Sequence, residues 1–296
     1  MATVGIMHSG SSQANSKNVQ IITDQFTKMA APPAIDGPHY AGDKGTGPLD
    51  QIANQLIANK VELIVAAGGS RSAKAALDAR GKANNPIIVF TSVAPYILNG
   101  LNGNTTAGVN ARTSDHDVAR LEWLLQLPLP GKRIGVLLNS NRGDKAKQKQ
   151  DIDGAMNADA CTPVYRDING PDTIPGIFNS FKGKIDGLLV AADPFFNNDR
   201  KEIVKLPSFP AIYQWRDFVE LGGLMSWGPS LSQCYTQAGS IAVQIISGAI
   251  APPYPVWQPN DPGDFELCVS QAAAKALNMW PLPGPITGCP QYNPLP

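Results

Sequence analysis

The feature that most restricts this chain is a repeated alternation. A short continuous apolar run is followed by a turn and then by a stretch with apolar residues at helical spacing. TVGIM (3–7) precedes 15–30, where Val19, Ile22, Phe26 and Met29 share a helical face. The stretch 34–41 reads as a weak strand broken by Gly37 and Pro38; Leu49, Ile52, Leu56 and Ile57 mark a second helix. VELIVAAG is then apolar throughout, as expected of a strand buried on both faces in a helix-covered parallel sheet.

The rhythm continues with a helix from Ser70 to Ala79, the strand PIIVF (86–90) and a short strand-like connector, NTTAGVN (104–110). A helix carrying Val118, Leu121, Leu124 and Leu125, capped by Ser114 or Asp115, ends at LPLPGK. The pattern restarts with RIGVLLN, a helix near 144–158, TPVYRDI, a helix near 172–182, DGLLVAAD, a short helix near 197–205 and FPAIY. Right-handed crossovers turn each series into a parallel sheet with helices on both faces, and 296 residues with 43% hydrophobic content suit two cores better than one. GGLMSW, a helix over about 230–248, a Pro-rich loop at 251–262, FELCVS and a helix near 270–278 are too few for a third domain. The expected fold is therefore α/β: two doubly wound parallel-sheet lobes, 1–110 with 224–262 and 111–223 with 263–296, the second including the Pro-rich tail.

A net charge of zero and a charged fraction of 16% provide no basic footprint, so nucleic acid is not an expected partner. No apolar run is long enough to span a bilayer, and direct membrane insertion is not expected. MATVGIMHSG enters a strand at once, which reads either as a cytoplasmic start or as a mature end left after signal removal. Cys161, Cys234, Cys268 and Cys289 show no metal-ligand spacing, and no metal or cofactor is expected. Cys234 shares a helical stripe with Ala238, Ile241 and Ile245 and reads as core. Cys161 and Cys289, in an oxidising compartment, are the expected disulfide pair, tying PLPGPITGCPQYNPLP to the second lobe.

In open α/β sheets ligands bind beyond the carboxyl ends of the strands. The first lobe offers His8, Ser9, Gly10 and Ser11 there, then Gly68, Gly69 and Ser70, then Thr91 and Ser92. From the second come Asn139, Ser140 and Asn141, then Asp193, Phe195 and Phe196, then Tyr213, Gln214, Trp215 and Arg216. Gly68 and Gly69 permit a tight turn, and the free amides of the following helix together with Ser70 can hold an anion; the same glycines can equally serve only the turn. The loop matches neither GxxxxGK[ST] nor GxGxxG, so a carboxylate is a more modest guess than a triphosphate. Asp193, closing an apolar strand before Pro194 and two phenylalanines, can receive a ligand ammonium or hydroxyl, or can cap the next helix. Tyr213 and Trp215 are similarly placed, though either can be packing, and Trp227 can face a cleft or brace a hinge. His8 beside Ser9 is not supported as a catalytic pair, because neighbours on one strand rarely meet and no GxSxG elbow is present. His116, in SDHD at a helix start, reads as solvated surface.

The run FPAIYQWRDFVELGGLMSWGPSLSQCYTQAGSIAVQIISGA, with the later PVWQPNDPGDFELCVSQAAAKALN, resembles the ABC transporter substrate-binding proteins of the tryptophan and tyrosine type. Trp227 stands where their GGLMSYG block has tyrosine, and Cys268 and Ser270 alter the last motif. LDQIANQLIANKVELIVAAGGSRSAKAAL, NGNTTAGVN and DGLLVAADPFFNNDRKEIVKL resemble earlier family segments in the same order. The loop around PIIVFTSVAP departs from the family, which leaves the ligand class open, and the tail is proline-rich where a long last helix is usual. The resemblance implies a type I periplasmic-binding fold, two lobes joined by three crossovers that close on a ligand. Matching segments carry over Ser9, Ser70, Thr91 and Ser92 from one lobe and Asp193, Tyr213 and Trp215 from the other.

The leading expectation is a non-enzymatic solute-binding component. It captures a small organic ligand, an amino acid or aromatic carboxylate, and presents it to an ABC transporter permease outside the cytoplasm. The ligand-binding set is Ser9, Ser11, Gly69, Ser70, Thr91, Ser92, Asn139, Asp193, Phe195, Tyr213, Trp215 and Trp227. The alternatives are a ligand-sensing module, for which no helix-turn-helix precedes the first strand, and an α/β enzyme, for which no cluster of acid, base and nucleophile stands out.

Overall fold

The structure, a computed structural model, describes residues 2–42, 47–93, 98–99, 101, 103–170 and 173–296, without the side chains of residues 14, 113, 114 and 194. The chain divides into two units, Met1–Arg112 with Leu231–Pro259 and Thr113–Ser230 with Asn260–Pro296, so it passes between them three times.

The first unit begins with β1 (Thr3–His8), α1 (Ser12–Thr27), β2 (Ala34–Tyr40), α2 (Leu49–Ala58), β3 (Leu63–Ala67), α3 (Ser70–Arg80), β4 (Ile87–Val93) and β5 (Thr106–Asn110). All five residues of β3 are buried, which is why its sequence shows no polar alternation. The stretch expected as a connector at 104–110 is instead a sheet strand, with every residue of β5 buried. Gly108 allows it: at φ +138° a Cβ there would lie 2.2 Å from the Phe90 carbonyl oxygen, so only glycine lets β5 approach β4.

The second unit takes over with α4 (Asp117–Leu125), β6 (Arg133–Asn139), α5 (Lys145–Ala158), β7 (Thr162–Ile168), α6 (Ile174–Phe181), β8 (Gly187–Val190), α7 (Pro194–Asn198), α8 (Arg200–Ile203), β9 (Ala211–Tyr213), α9 (Arg216–Glu220) and β10 (Met225–Pro229). A 3-10 turn over Thr113–His116 leads into α4, whose first residue is Asp117; of the two expected caps, the side chain of Ser114 lies outside the described residues. The single helix expected near 197–205 is two short ones starting at Pro194, and α9 is an additional helix. The chain then returns to the first unit with α10 (Leu231–Ile246) and β11 (Val256–Trp257) and ends in the second with β12 (Phe265–Ser270), α11 (Gln271–Ala276), α12 (Gly284–Thr287) and β13 (Tyr292–Leu295).

The first sheet runs β11-β5-β4-β3-β1-β2, parallel at every pairing. The second runs β13-β12-β10-β9-β8-β6-β7, parallel except where β12 pairs antiparallel with β10. The residues 224–230, expected in the first lobe, thus fall in the second: backbone pairing of Met225 with both Ile212 and Val269 holds β10 between β9 and β12. The Pro-rich loop at 251–262 contributes β11 to the edge of the first sheet, beside β5.

The expected Cys161–Cys289 disulfide is not formed. All four thiols are free; Cys161 Sγ lies against the Asp159 carbonyl oxygen at 3.8 Å and Cys289 Sγ against Gln291 Oε1 at 3.3 Å. The tail is held by backbone pairing instead, with β13 running parallel to β12. Cys234, Ala238, Ile241 and Ile245 are all buried on α10, as their spacing requires. His116 is not a solvated surface residue: its ring is half-buried, edge-on to Phe265 at 4.9 Å.

Candidate functional site

Parallel strands deliver their carboxyl ends to one edge of each sheet. In the first unit that edge is locked by short-range bonds. The Gly10 N–H donates to His8 Nδ1 at 2.8 Å, so Nδ1 holds a lone pair and the neutral ring carries its proton on Nε2, 3.0 Å from the Tyr235 hydroxyl. His8 is therefore tied to α10 and not to Ser9, whose hydroxyl donates to the Gly68 carbonyl at 2.8 Å. The Gly68 N–H in turn donates to Thr91 Oγ1 at 3.1 Å, which leaves the Thr91 proton for another acceptor. These bonds stitch the ends of β1, β3 and β4 together.

Gly68 and Gly69 sit at φ +87° and +89°, and a Cβ on Gly68 would lie 2.5 Å from Ser9 Oγ. The double-glycine turn is thus a requirement of close approach between two loops. Ser70 is the first residue of α3 and is buried; Ser11, the N-cap of α1, makes no side-chain capping bond. Ser92 is the unusual member. It holds φ +47°, where a non-glycine residue is disfavoured, and its buried Oγ has no partner among the described residues. Residues 94–97 of the divergent loop that follows lie outside the described residues.

The second unit presents a charged edge. Asn139 donates to Asp193 Oδ1 at 3.0 Å, and the same oxygen accepts the Phe195 N–H at 2.8 Å, capping α7. Asp193 is thus the helix cap allowed for in the sequence, with its second oxygen 3.6 Å from Arg142 Nη1. Burial pushes its carboxyl above the usual 3.8, against the pull of the Phe195 amide, Arg142 and Asn139. Arg142 itself forks onto Asp144 and donates to the Ala192 carbonyl at 2.5 Å.

Behind this edge lies a second ion pair. Arg120 bonds the fully buried Asp117 and donates through Nε to the Trp227 carbonyl at 2.8 Å. Asp117 also accepts from Gln148 at 2.7 Å and from the Ala192 N–H at 3.0 Å. Burial raises the Asp117 carboxyl, opposed by the Arg120 charge and these two donors. None of Asp117, Arg120 or Arg142 was expected from the sequence as part of a site. The signal for the first two was present, since Asp117, Arg120, Leu121 and Leu124 lie on one buried stripe of α4.

The aromatic candidates divide. Phe195 is half-buried at the start of α7, edge-on to the core residue Phe196 at 5.5 Å. Trp215 is buried just before α9. Trp227 is half-buried, stacked on Phe265 at 5.7 Å and tilted against Trp123 at 5.6 Å. Tyr213 is turned into its own unit: its ring stacks on Phe218 at 4.9 Å and burial pushes its phenol up. Among the described residues no group of three or more His, Cys, Asp or Glu could hold a metal ion.

Known structures share this architecture. A protein of Streptococcus pneumoniae solved in complex with L-Trp superposes with a TM-score of 0.81 at 16% identity, covering 99% of each chain. A conserved domain protein from Vibrio cholerae gives 0.79 at 16% identity, covering 98% of this chain and 99% of that one. The ligand-free, open form of a substrate-binding protein with adhesive properties from Clostridium difficile gives 0.68 at 21% identity, covering 100% and 99%. Both units have the build of the type I periplasmic-binding fold. No curated protein matches the sequence. The family model for ABC transporter substrate binding protein matches residues 38–280, and the chain belongs to that family.

Proposed function

We propose that this chain is the solute-binding component of an ABC importer, taking a small organic ligand, an amino acid or an aromatic carboxylate, between its two units and releasing it unchanged to a membrane permease outside the cytoplasm. The observation that carries the reading is the buried, unpartnered Ser92 hydroxyl on a disfavoured backbone at the first unit's ligand edge. A ligand carboxylate satisfies it, together with the Thr91 proton, the amides at Ser9, Ser11, Gly69 and Ser70 and the Ser11 and Ser70 hydroxyls. The second unit supplies Asp193, positioned by Asn139, for the ligand ammonium, and Phe195, Trp215 and Trp227 for apolar contact. The L-Trp bound to the Streptococcus pneumoniae neighbour supports an amino acid as the class to test first. The family to which the chain belongs supports a membrane partner for transfer across the bilayer. Closure follows if the ligand contacts both units better in a closed than in an open state.

The test is Asp193→Asn, which keeps an oxygen to cap α7 but removes the charge. In calorimetric titration across a panel of amino acids, the unmodified chain is expected to bind at least one of them, and the variant to bind it at least about tenfold more weakly with its unliganded melting temperature little changed, the size of a lost charge-assisted bond. Equal affinity would reduce Asp193 to a helix cap and remove the ammonium from the proposal.

A further inference from the structure

Tyr213 is expected at the ligand edge from its strand position, yet its side chain serves a different cavity. Strand residues alternate between faces, so Ala211 and Tyr213 share one side of β9 while Ile212 enters the core cluster on the other. On that side a cavity of about 150 Å³ opens at the amino ends of β9 and β10, walled by Phe209, Ala211, Tyr213 and Leu224, by Ala273 of α11 and by Leu277, which follows that helix. Because β12 runs antiparallel to β10, α11 starts from the amino end of β10, away from the Asp193 edge. No lining residue carries a charge.

Two observations point to a ligand. The space is half open to solvent and mixes polar with apolar surface, and its volume is enough for one benzene-sized ring. Tyr213 is only 1% exposed and stacks on Phe218, burial pushes its phenol up, and its hydroxyl makes no hydrogen bond among the described residues. A phenol this deep normally finds a partner, and that of Tyr213 is left for what enters the cavity it lines. Gly223 keeps room for the ring, because a Cβ there would lie 2.7 Å from Tyr213 Cε2.

We propose that the second unit carries an accessory site for a small uncharged aromatic alcohol of phenol size, its ring between Phe209, Leu224 and α11 and its hydroxyl bonded to Tyr213. The site does not depend on the solute-binding reading, and a failure of either leaves the other standing. Phenol and benzene are titrated against the full chain by ligand-observed NMR. Both are expected to bind saturably, phenol more tightly. Tyr213→Phe is expected to weaken phenol about fivefold, the loss of one neutral hydrogen bond, while leaving benzene unchanged. Ala273→Leu, which fills the cavity with a good helix former, is expected to abolish both. Absence of saturable phenol binding overturns the proposal, as does binding that survives Ala273→Leu in a folded variant. Should that variant fail to fold, the phenol-to-benzene ratio in Tyr213→Phe decides, and an unchanged ratio overturns it.

Discussion

The two strand-end edges solve the same task with opposite chemistry. The first unit uses neutral groups, with Ser9, Gly68 and Thr91 bonded in series and Ser92 left over. The second buries charges: Asp117, Arg120, Arg142 and Asp193 are all under 10% exposed and linked through Gln148, Asn139 and the Ala192 backbone. A neutral edge can be shaped by backbone alone, so its geometry rests on glycines and turn angles. A charged edge needs compensation at every ion, so its geometry rests on a chain of partners. Damage should therefore spread differently: locally and through strain in the first unit, collectively and through desolvation in the second.

The largest effect is expected where the charged network loses the carboxylate of its fully buried pair; Asp193→Asn, by contrast, leaves Arg142 bonded to Asp144 and the Ala192 carbonyl. Asp117→Ala removes the carboxylate that neutralises Arg120, whose side chain is 0% exposed and whose Nε donates to the Trp227 carbonyl. Removing one partner of a buried ion pair costs about 3–5 kcal/mol. Urea unfolding should show the second unit melting first; a loss under about 1 kcal/mol would mean the pair is replaceable by packing, and the contrast between the edges would collapse.

Gly68→Ala tests the neutral edge at its tightest point. The new Cβ meets Ser9 Oγ at 2.5 Å and His8 Cε1 at 2.9 Å on a backbone at φ +87°. The expected cost is about 2 kcal/mol, from backbone strain and the displaced Ser9 bond. Thermal melting should register it, and ligand affinity should fall with it if the turn shapes the site. Unchanged affinity in the destabilised variant would confine the double glycine to structure.

The alternation of strands and helices was legible because parallel strands covered on both faces must be apolar throughout, as in β3 and β8, and because α4 and α10 bury regular stripes. What escaped was whatever depends on partners distant in the chain. β5 read as a connector because TAGVN is short and carries glycine; its strand character comes from β4 and β11 on either side. The assignment of 224–230 turned on β12, met some 40 residues later. At the candidate site, strand-end position pointed to Asp193, Ser92 and the glycine turn, which the structure sets at the carboxyl ends of β8, β4 and β3. It could not show that Asp193 is already a cap, nor that Tyr213 turns away, because position fixes where a side chain begins and not where it points. Arg142 lies in NSNRGD, which reads as an ordinary polar loop until Asp144 and Ala192 are seen to enclose it.

The smallest expected effect is also the one that most separates stability from function. Ser92→Gly removes a side chain held at φ +47° and a buried hydroxyl with no partner among the described residues. Glycine adopts that backbone freely, and relief of the strain and of the unmet hydroxyl outweighs its greater unfolded-state freedom, so stability should rise by about 1 kcal/mol. If the hydroxyl exists for a ligand, the same change should weaken binding about tenfold, the worth of one hydrogen bond to a charged group. A variant both more stable and a poorer binder is what a strained functional residue produces. Were stability to rise with affinity unaltered, Ser92 would be strain without purpose and the neutral edge would lose the hydroxyl on which its ligand reading rests. Were stability to fall, the hydroxyl would be contributing to the fold itself.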